Sequence, residues 1–278
     1  MNKLLITEVA LRDGSHVVGH QFTKEQVRNV TKQLSAAGVP YIEVTHGDGL
    51  GGSSLQYGFS KEYDIELVKV AVEQAGNSTI AVLLLPGIGT IEDLKKAYDA
   101  GARMVRVATH VTEADVSKQH IETAKAMGME VVGFLMMAHS ASPEVVLEQA
   151  KLMESYGADV VYVTDSAGAM LPSDVTARIS LLKAHLSVEI GFHAHNNLSL
   201  AIANTLAAIE AGANRIDGSV CCLGAGAGNA QTEVLVGVLD RLGYETGIDL
   251  YKMLDLADDV RANILPAPQD ITSSSFIM

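Results

Sequence analysis

Short apolar runs alternate along the chain with longer segments in which apolar residues recur every three or four positions. The short runs are KLLITEV, PYIEVTH, TIAVLLLP, MVRVATH, EVVGFLMMAH, DVVYVTD, VEIGFH and RIDGSV. Near-continuous apolar runs of this kind are typical of parallel strands that are buried on both faces. The segments between them, such as TKEQVRNVTKQLSAAG, have the period of amphipathic helices. The pattern therefore predicts strands and helices in regular alternation.

The predicted helices also carry start and stop signals. Thr23 and Ser142 stand at N-cap positions, and Pro143 follows at the first helical position. A glycine suited to a left-handed C-cap ends six of the helices. These glycines are Gly38, Gly76, Gly101, Gly128, Gly157 and Gly212.

Eight strand–helix units fit within about 250 residues, which is the size of a closed (β/α)8 barrel. We therefore expect an α/β protein with a TIM-barrel domain over residues 1–262. An open doubly wound sheet would alternate in the same way, but no G-x-G-x-x-G motif follows the first predicted strand, where such a sheet often carries it.

The composition and net charge of the chain limit the classes of partner and the cellular locations that we expect for the protein. The chain has 278 residues, 48% of them hydrophobic, and a formal net charge of -13, which disfavours nucleic acids and anionic membranes as partners. No apolar run reaches the length of a membrane span, and the N-terminus does not resemble a secretory signal. The only two cysteines are adjacent and offer no disulfide framework. We expect a cytoplasmic protein.

Chemically active side chains collect at the predicted C-terminal ends of the strands, where barrels place their active sites. Every histidine except His120 and His185 falls at or near such an end. The candidate residues at these ends are Arg12, Asp13, His16, His46, His110, His139, Asp165, Ser166, His193 and His195.

The stretch GFHAHNN gives the strongest local signal. His193 and His195 lie two apart on a strand, so both imidazoles face one side and can bind one ion. The alternative is a pair of barrel histidines held by hydrogen bonds. Asp13 would complete a two-histidine, one-carboxylate set with open coordination positions, and such a set permits Mn²⁺, Mg²⁺, Fe²⁺, Co²⁺ or Zn²⁺.

Residues 12–20, RDGSHVVGH, add further candidates. Arg12 is placed to bind a substrate carboxylate or a developing oxyanion, with a surface ion pair as the alternative. Gly14 would allow the bend that turns Arg12 and Asp13 inward. His16 is the candidate general base, and His20 is either adjacent to the site or structural.

Two glycine-rich loops lie on the same rim, HGDGLGGSS at 46–54 and LGAGAGN at 223–229. They could bind an anion through backbone N–H groups, or form tight turns or a mobile lid. Cys221 and Cys222 are interpreted as packing residues, because no base can be assigned to activate them as nucleophiles.

Five motifs together carry a resemblance that runs from about residue 4 to residue 272. The motifs LRDGSH, THGDGLGGSS, DSAGAM, FHAHNNLSLAIAN and LGAGAGNA, in this order, resemble those of the metal-dependent 4-hydroxy-2-oxovalerate (4-hydroxy-2-oxopentanoate) aldolases. The wider group, with hydroxymethylglutaryl-CoA lyase and isopropylmalate synthase, shares R-D-G and H-x-H. His16, where CoA-using relatives usually have glutamine, and HGDGLGGSS favour the aldolase.

The resemblance implies a class II aldolase, a carbon–carbon lyase of aromatic catabolism. It implies that Asp13, His193 and His195 bind Mn²⁺, with Mg²⁺ or Co²⁺ as alternatives, that Arg12 stabilises the enolate and that His16 is the catalytic base. The substrate would be 4-hydroxy-2-oxopentanoate or a close 4-hydroxy-2-oxo acid, and the products pyruvate and acetaldehyde or a longer aldehyde. The implied substrate-binding residues are Arg12, Asp13, Ser166 and His193.

The resemblance also implies a helical C-terminal region that docks an acylating acetaldehyde dehydrogenase. The sequence stops at PAPQDITSSSFIM, so we expect residues 263–278 to be the start of a truncated C-terminal region, with partner docking and full activity weakened. Two alternatives stay open. One is an acyl-CoA-using lyase or synthase of the same group, and the other is a metal-binding barrel with weak or no activity.

Overall fold

Eight parallel strands close into a barrel in chain order, with β1 paired to both β2 and β8. The structure is a computed structural model that describes residues 4–273 and 275, so Lys3 of the predicted first strand and residues 274 and 276–278 of the predicted C-terminal region lie outside the described residues. The closed order confirms the predicted barrel and excludes the open sheet. The strands are β1 Leu5–Glu8, β2 Tyr41–Glu43, β3 Thr79–Leu84, β4 Met104–His110, β5 Glu130–Met136, β6 Val160–Asp165, β7 Glu189–Ala194 and β8 Arg215–Gly218.

Helices connect consecutive strands, and a final helix packs against the first helix and the eighth. The N-caps predicted at Thr23 and Ser142 are confirmed: each side chain accepts a backbone N–H from the first turn. Within the described residues, no helix is long and apolar enough to cross a membrane. The helices are α1 Lys24–Ala37, α2 Asp64–Gln74, α3 Ile91–Asp99, α4 Lys118–Ala126, α5 Pro143–Ser155, α6 Pro172–His185, α7 Ala201–Glu210, α8 Thr232–Arg241 and α9 Leu250–Asn263.

The glycines that follow six of the helices adopt left-handed backbone conformations, with φ between 52° and 112°. At Gly38 the position is crowded as well, because an added Cβ would lie 2.6 Å from the carbonyl oxygen of Gly247. Only glycine satisfies both conditions without strain. The predicted helix ends are therefore confirmed.

The barrel interior contains a buried arginine between aromatic rings. The guanidinium of Arg106 on β4 lies 4.4 Å from the ring centre of Phe134 and 4.8 Å from that of Tyr162. Cation–π contact stabilises a desolvated guanidinium, and the rings fill the interior around it. A larger apolar cluster fills the space between the barrel and the helices.

Glu8, at the end of β1, joins the first strand to the last. It is fully buried, and its Oε1 accepts hydrogen bonds from the N–H groups of Ala10 at 3.1 Å and Val220 at 2.9 Å. Its Oε2 accepts a hydrogen bond from the hydroxyl of Thr232 on α8. Burial nevertheless raises the pKa of Glu8 to about 8, because these three hydrogen bonds only partly offset the loss of water.

This raised pKa predicts a pH-dependent stability that Glu8→Gln removes. Between the ordinary pKa of 4.5 and about 8, the folded protein keeps a proton that the unfolded chain releases. Glu8 therefore lowers the free energy of unfolding as pH rises through this range, by at most about 1.4 kcal/mol per pH unit. Urea unfolding at several pH values should show E8Q gaining stability over the wild type as pH rises. A difference that stays constant with pH would contradict the assignment.

Candidate active site

A single turn of 3-10 helix, Asp13–His16, follows β1 and points its side chains into the barrel mouth. This turn, and not an unusual glycine conformation, makes the bend that Gly14 was expected to allow. Gly14 is needed for a different reason: an added Cβ would lie 2.8 Å from Cβ of Leu223. The first motif therefore packs directly against the loop that follows β8.

Asp13, His193 and His195 converge as the sequence predicts. Oδ2 of Asp13 lies 3.4 Å from Nε2 of His193 and 3.6 Å from Nε2 of His195. The two Nε2 atoms are 3.2 Å apart, and all three residues are buried. The three ligand atoms thus surround one point at the barrel mouth.

The hydrogen bond that Nδ1 makes in each ring indicates what kind of group the point between the Nε2 atoms can bind. Nδ1 of His195 lies 3.2 Å from the carbonyl oxygen of Ala225, which can only accept, so Nδ1 carries the proton and Nε2 presents a lone pair. Nδ1 of His193 lies 2.7 Å from Oδ2 of Asp217, which favours the same tautomer. Two lone pairs and a carboxylate facing one another fit a divalent cation. The residues present therefore suit a metal with three protein ligands and open positions.

The electrostatics agree with a cation at this point. Burial would raise the pKa of Asp13, but Arg12 and the two histidines together hold it well below its usual range. Burial lowers the pKa of His195 to about 4, which keeps its ring neutral. Burial also acts against protonation of His193, but the carboxylates of Asp13 and Asp217 outweigh it and raise that pKa. The charges around the site therefore favour a cation beside the Nε2 atoms of His193 and His195.

A chain of buried charges supports the site from inside the barrel. Nε of Arg12 donates to Oε2 of Glu43 at 2.7 Å, and the same oxygen accepts from Nη1 of Arg106 at 3.1 Å. Arg106 also donates from Nη2 to Asp217, the residue that orients His193. Opposite charges alternate along this chain, so each buried ion has a partner. It connects Arg12 to His193.

Sequence reasoning missed Glu43, Arg106 and Asp217. A signal was available, because each is a charged residue within a short apolar strand: YIEV, MVRVA and RIDG. In a strand buried on both faces, such a residue must point into a polar barrel interior and be paired there.

Arg12 is buried, so the alternative of a surface ion pair is wrong. Its Nη1 lies 3.4 Å from Oδ1 of Asp13. Its Nη2 is buried and has no hydrogen-bond partner among the described residues. A buried guanidinium donor without a partner, beside a cavity, is available for an oxygen of a bound anion.

The cavity above these residues has a volume of about 180 Å³. Its polar wall includes His16 and Asp48, and Ser166 contributes a hydroxyl that accepts a hydrogen bond from the N–H of Met137 at 2.9 Å. The residues to which the family resemblance gives a role thus line one cavity, whereas His46, His110, His139 and Asp165 are not part of its lining. Its lining is Arg12, Asp13, His16, Gly47, Asp48, Leu83, Leu85, Phe134, Met136, Thr164, Ser166, His193, His195 and Ala225.

The two glycine-rich loops differ in role. Loop 223–229 holds Asp13, since Ala225 N donates to Oδ1 of Asp13 at 3.3 Å and Asn229 Nδ2 donates to Oδ2 at 2.7 Å. Loop 46–54 instead lines the cavity with Gly47 and Asp48. The structure thus shows that loop 223–229 positions Asp13, which the sequence did not predict.

Cys221 is buried and Cys222 partly buried, and both belong to a different cavity wall. Burial raises the pKa of Cys221 to about 12 and that of Cys222 to about 11, so both thiols stay protonated and unreactive. Cys221 belongs to the apolar core, which confirms the interpretation as a packing residue for this cysteine.

Asp217→Asn should weaken divalent-metal binding by about 10- to 100-fold, because the neutral amide orients His193 less strongly and reduces its basicity. The affinity is measured by competition with a chelator of known strength, and circular dichroism checks the fold. Asp240→Asn, at an exposed position on α8, is the matched control and should bind as the wild type does. An unchanged affinity in D217N would overturn the role given to Asp217.

Solved structures share this fold. Bacillus subtilis HMG-CoA lyase superposes with a TM-score of 0.83 at 22% identity, covering 96% of both chains. The carboxyl transferase domain of Rhizobium etli pyruvate carboxylase superposes with a TM-score of 0.82 at 17% identity, covering 99% of this chain and 51% of that one. At these identities the likeness supports the barrel fold alone.

Sequence comparisons are more specific. A family model described as HMGL-like matches residues 3–260. The 4-hydroxy-2-oxovalerate aldolase of Geobacillus stearothermophilus is 68% identical over 98% of this chain and 80% of its own length. That of Brevibacillus brevis is 62% identical over 99% of this chain and 81% of its own length. The chain therefore belongs to the HMGL-like family and, within it, to the 4-hydroxy-2-oxovalerate aldolases, which are carbon–carbon lyases.

Proposed function

We propose that this protein is a class II aldolase that cleaves 4-hydroxy-2-oxopentanoate, or a close 4-hydroxy-2-oxo acid, to pyruvate and an aldehyde. One observation carries the proposal: three metal-ligand atoms, the unpartnered guanidinium nitrogen of Arg12 and the imidazole of His16 share one small cavity. The names of the similar aldolases support the substrate class. Among the described residues of the cavity wall there is no lysine, which suits an aldolase that forms no Schiff base.

Asp13, His193 and His195 are the proposed metal ligands, and Mn²⁺ is the proposed ion, with Mg²⁺ or Co²⁺ as alternatives. When bound, such an ion acts as a Lewis acid that polarises the 2-oxo group of the substrate. The protein contributes the tautomers of both rings, fixed by Asp217 and the carbonyl of Ala225.

Arg12 is proposed to stabilise the negative charge that develops on the C2 oxygen. Its guanidinium is held by Glu43 and Asp13, so Nη2 is oriented before the substrate arrives. A donor fixed in a buried site stabilises a developing oxyanion more strongly than water does. With Arg12, the cavity-wall residues Asp13, Ser166 and His193 are proposed to bind and orient the substrate.

His16 is proposed as the general base. It accepts the proton of the C4 hydroxyl, the electrons of that O–H bond form the aldehyde carbonyl, and the C3–C4 bond breaks. The electron pair of that bond forms the C2–C3 double bond of the pyruvate enolate, whose oxygen faces Arg12. Protonation at C3 then gives pyruvate, and the proton held by His16 balances the reaction.

Further expectations come from the family resemblance alone. We propose that residues 1–262 form the catalytic domain and that residues 263–278 begin a C-terminal region. A role in aromatic catabolism, an acylating acetaldehyde dehydrogenase as partner and a cytoplasmic location stay predictions.

His16→Ala should lower kcat for pyruvate formation by about 10²- to 10⁴-fold while metal affinity stays close to that of the wild type, since the variant removes the base and no metal ligand. Pyruvate release is followed with a coupled dehydrogenase. His185→Ala, exposed at the end of α6, is the matched control. Full activity in H16A would contradict the assignment of the base.

Removal of metal with a chelator should abolish pyruvate formation, and one equivalent of Mn²⁺ per chain should restore it. Mg²⁺ and Co²⁺ are tested in parallel to rank the ions. Turnover that survives complete metal removal would exclude the class II mechanism. Cleavage of an acyl-CoA ester in place of the 2-oxo acid would favour the CoA-using alternative.

A further inference from the structure

A second group of metal-ligating side chains lies next to the proposed base. His16, His20 and Asp48 each offer one ligand atom, and these atoms lie within 4.8 Å of one another. The two histidines come from residues 16–20 after β1, and Asp48 comes from the loop after β2. None of the three belongs to the Asp13, His193 and His195 set.

His20 is held firmly in an unusual conformation. Its φ is +61°, a left-handed value that a residue with a Cβ adopts only when its surroundings impose it. Its N–H donates to the carbonyl oxygen of Ser15 at 2.7 Å, and its carbonyl accepts from the N–H of Lys61 at 3.0 Å. Its ring stacks on that of His46, with centres 3.7 Å apart, and meets the ring of His16 edge-on at 5.1 Å. The aldol cleavage described above gives this residue no role.

Asp48 presents a carboxylate that lacks a hydrogen-bond donor among the described residues. The nearest ring nitrogen is Nδ1 of His46, 3.6 Å from Oδ2. That nitrogen accepts the N–H of Asp48 itself at 3.0 Å, so the ring proton of His46 is on Nε2, which donates to the carbonyl of Gly58 at 3.1 Å. A negative charge without a hydrogen-bond donor therefore lies within 4.8 Å of a ring nitrogen of His16 and a ring nitrogen of His20.

We propose that His16, His20 and Asp48 form a second site for divalent cations that prefer imidazole ligands, such as Co²⁺ and Zn²⁺, and that filling it inhibits the enzyme. The ion would take the lone pair with which His16 accepts the C4 hydroxyl proton. The binding half of this proposal is independent of the proposed function, whereas the inhibition half rests on it.

The ligand types of the second site indicate which ions it prefers. The exposure of these ligands indicates whether it fills before or after the first site. Two imidazoles and a carboxylate suit Co²⁺ and Zn²⁺ better than Mg²⁺. Ligands at about 2.1 Å from a tetrahedral ion are about 3.4 Å apart, so the ligand atoms must approach one another by up to about 1.4 Å around it. His16 and Asp48 are only partly buried, and no partner such as Asp217 orients them. The second site should therefore fill after the first, at higher ion concentration.

Co²⁺ alone tests the binding, by equilibrium dialysis against metal-free protein. The wild type should bind two equivalents, the second at least about 10-fold more weakly than the first. His20→Gln and Asp48→Asn should each bind only one. Asp48 is partly exposed and makes no side-chain hydrogen bond among the described residues, so D48N tests the site even where H20Q fails to fold. His185→Gln is the control and should keep both equivalents.

The same titration followed by pyruvate release tests the inhibition. Activity should rise with the first equivalent of Co²⁺ and fall as the second binds, and D48N should need at least about 10-fold more Co²⁺ for the same loss. One bound equivalent in an active wild type, or two retained in both variants, would overturn the second site. Two bound equivalents with undiminished activity would overturn the inhibition. Two bound equivalents of Co²⁺ in a protein that neither Co²⁺ nor Mn²⁺ activates would support the second site and reject the proposed aldolase.

Discussion

The hydrogen bond between Nδ1 of His193 and the carboxylate of Asp217 is the interaction on which the site depends. It fixes which ring nitrogen carries the proton, and therefore which one faces Asp13 and His195. Asp217 is itself fixed by Arg106, which Glu43 pairs in turn. The paired charges in the barrel interior thus determine which ring nitrogen of His193 carries the proton at the barrel mouth. The same paired charges belong to the fold and support the proposed chemistry.

This arrangement needs both ends of the chain. Loop 223–229 carries the contacts to Asp13 and His195, and its glycines allow it to pass close to its neighbours. The side chain of Gln269, beyond α9, holds that loop by accepting from the N–H of Gly224 at 3.3 Å and donating to the carbonyl of Gly226 at 3.2 Å. The segment after the barrel therefore helps to position the loop that contacts Asp13 and His195.

Much of this structure follows from sequence. The apolar runs predicted all eight strands, because a parallel barrel strand is buried on both faces and leaves a clear signal. The glycine C-caps and the N-caps at Thr23 and Ser142 were predicted because they depend on local backbone conformation. The barrel topology places the C-terminal ends of all the strands at one rim. The residues at these ends therefore line one cavity, as predicted for Arg12, Asp13, His16, Ser166, His193 and His195.

Other features of the structure depend on contacts between residues far apart in sequence. The hydrophobic periodicity of the chain does not predict such contacts. The pairing of Glu43 with Arg106 joins β2 to β4, and that of Arg106 with Asp217 joins β4 to β8. Position 14 requires glycine because Leu223 approaches the backbone there too closely for a Cβ. His20 was left unassigned, because its stacking on His46 is visible only in three dimensions.

We propose that the buried charges of the barrel prepare one divalent-cation centre at Asp13, His193 and His195. Anomalous diffraction from crystals grown with one equivalent of Mn²⁺ locates the ion. We expect a manganese peak within about 2.3 Å of a carboxylate oxygen of Asp13 and of Nε2 of both histidines. A manganese peak bound elsewhere, with these three side chains left without an ion, would contradict it.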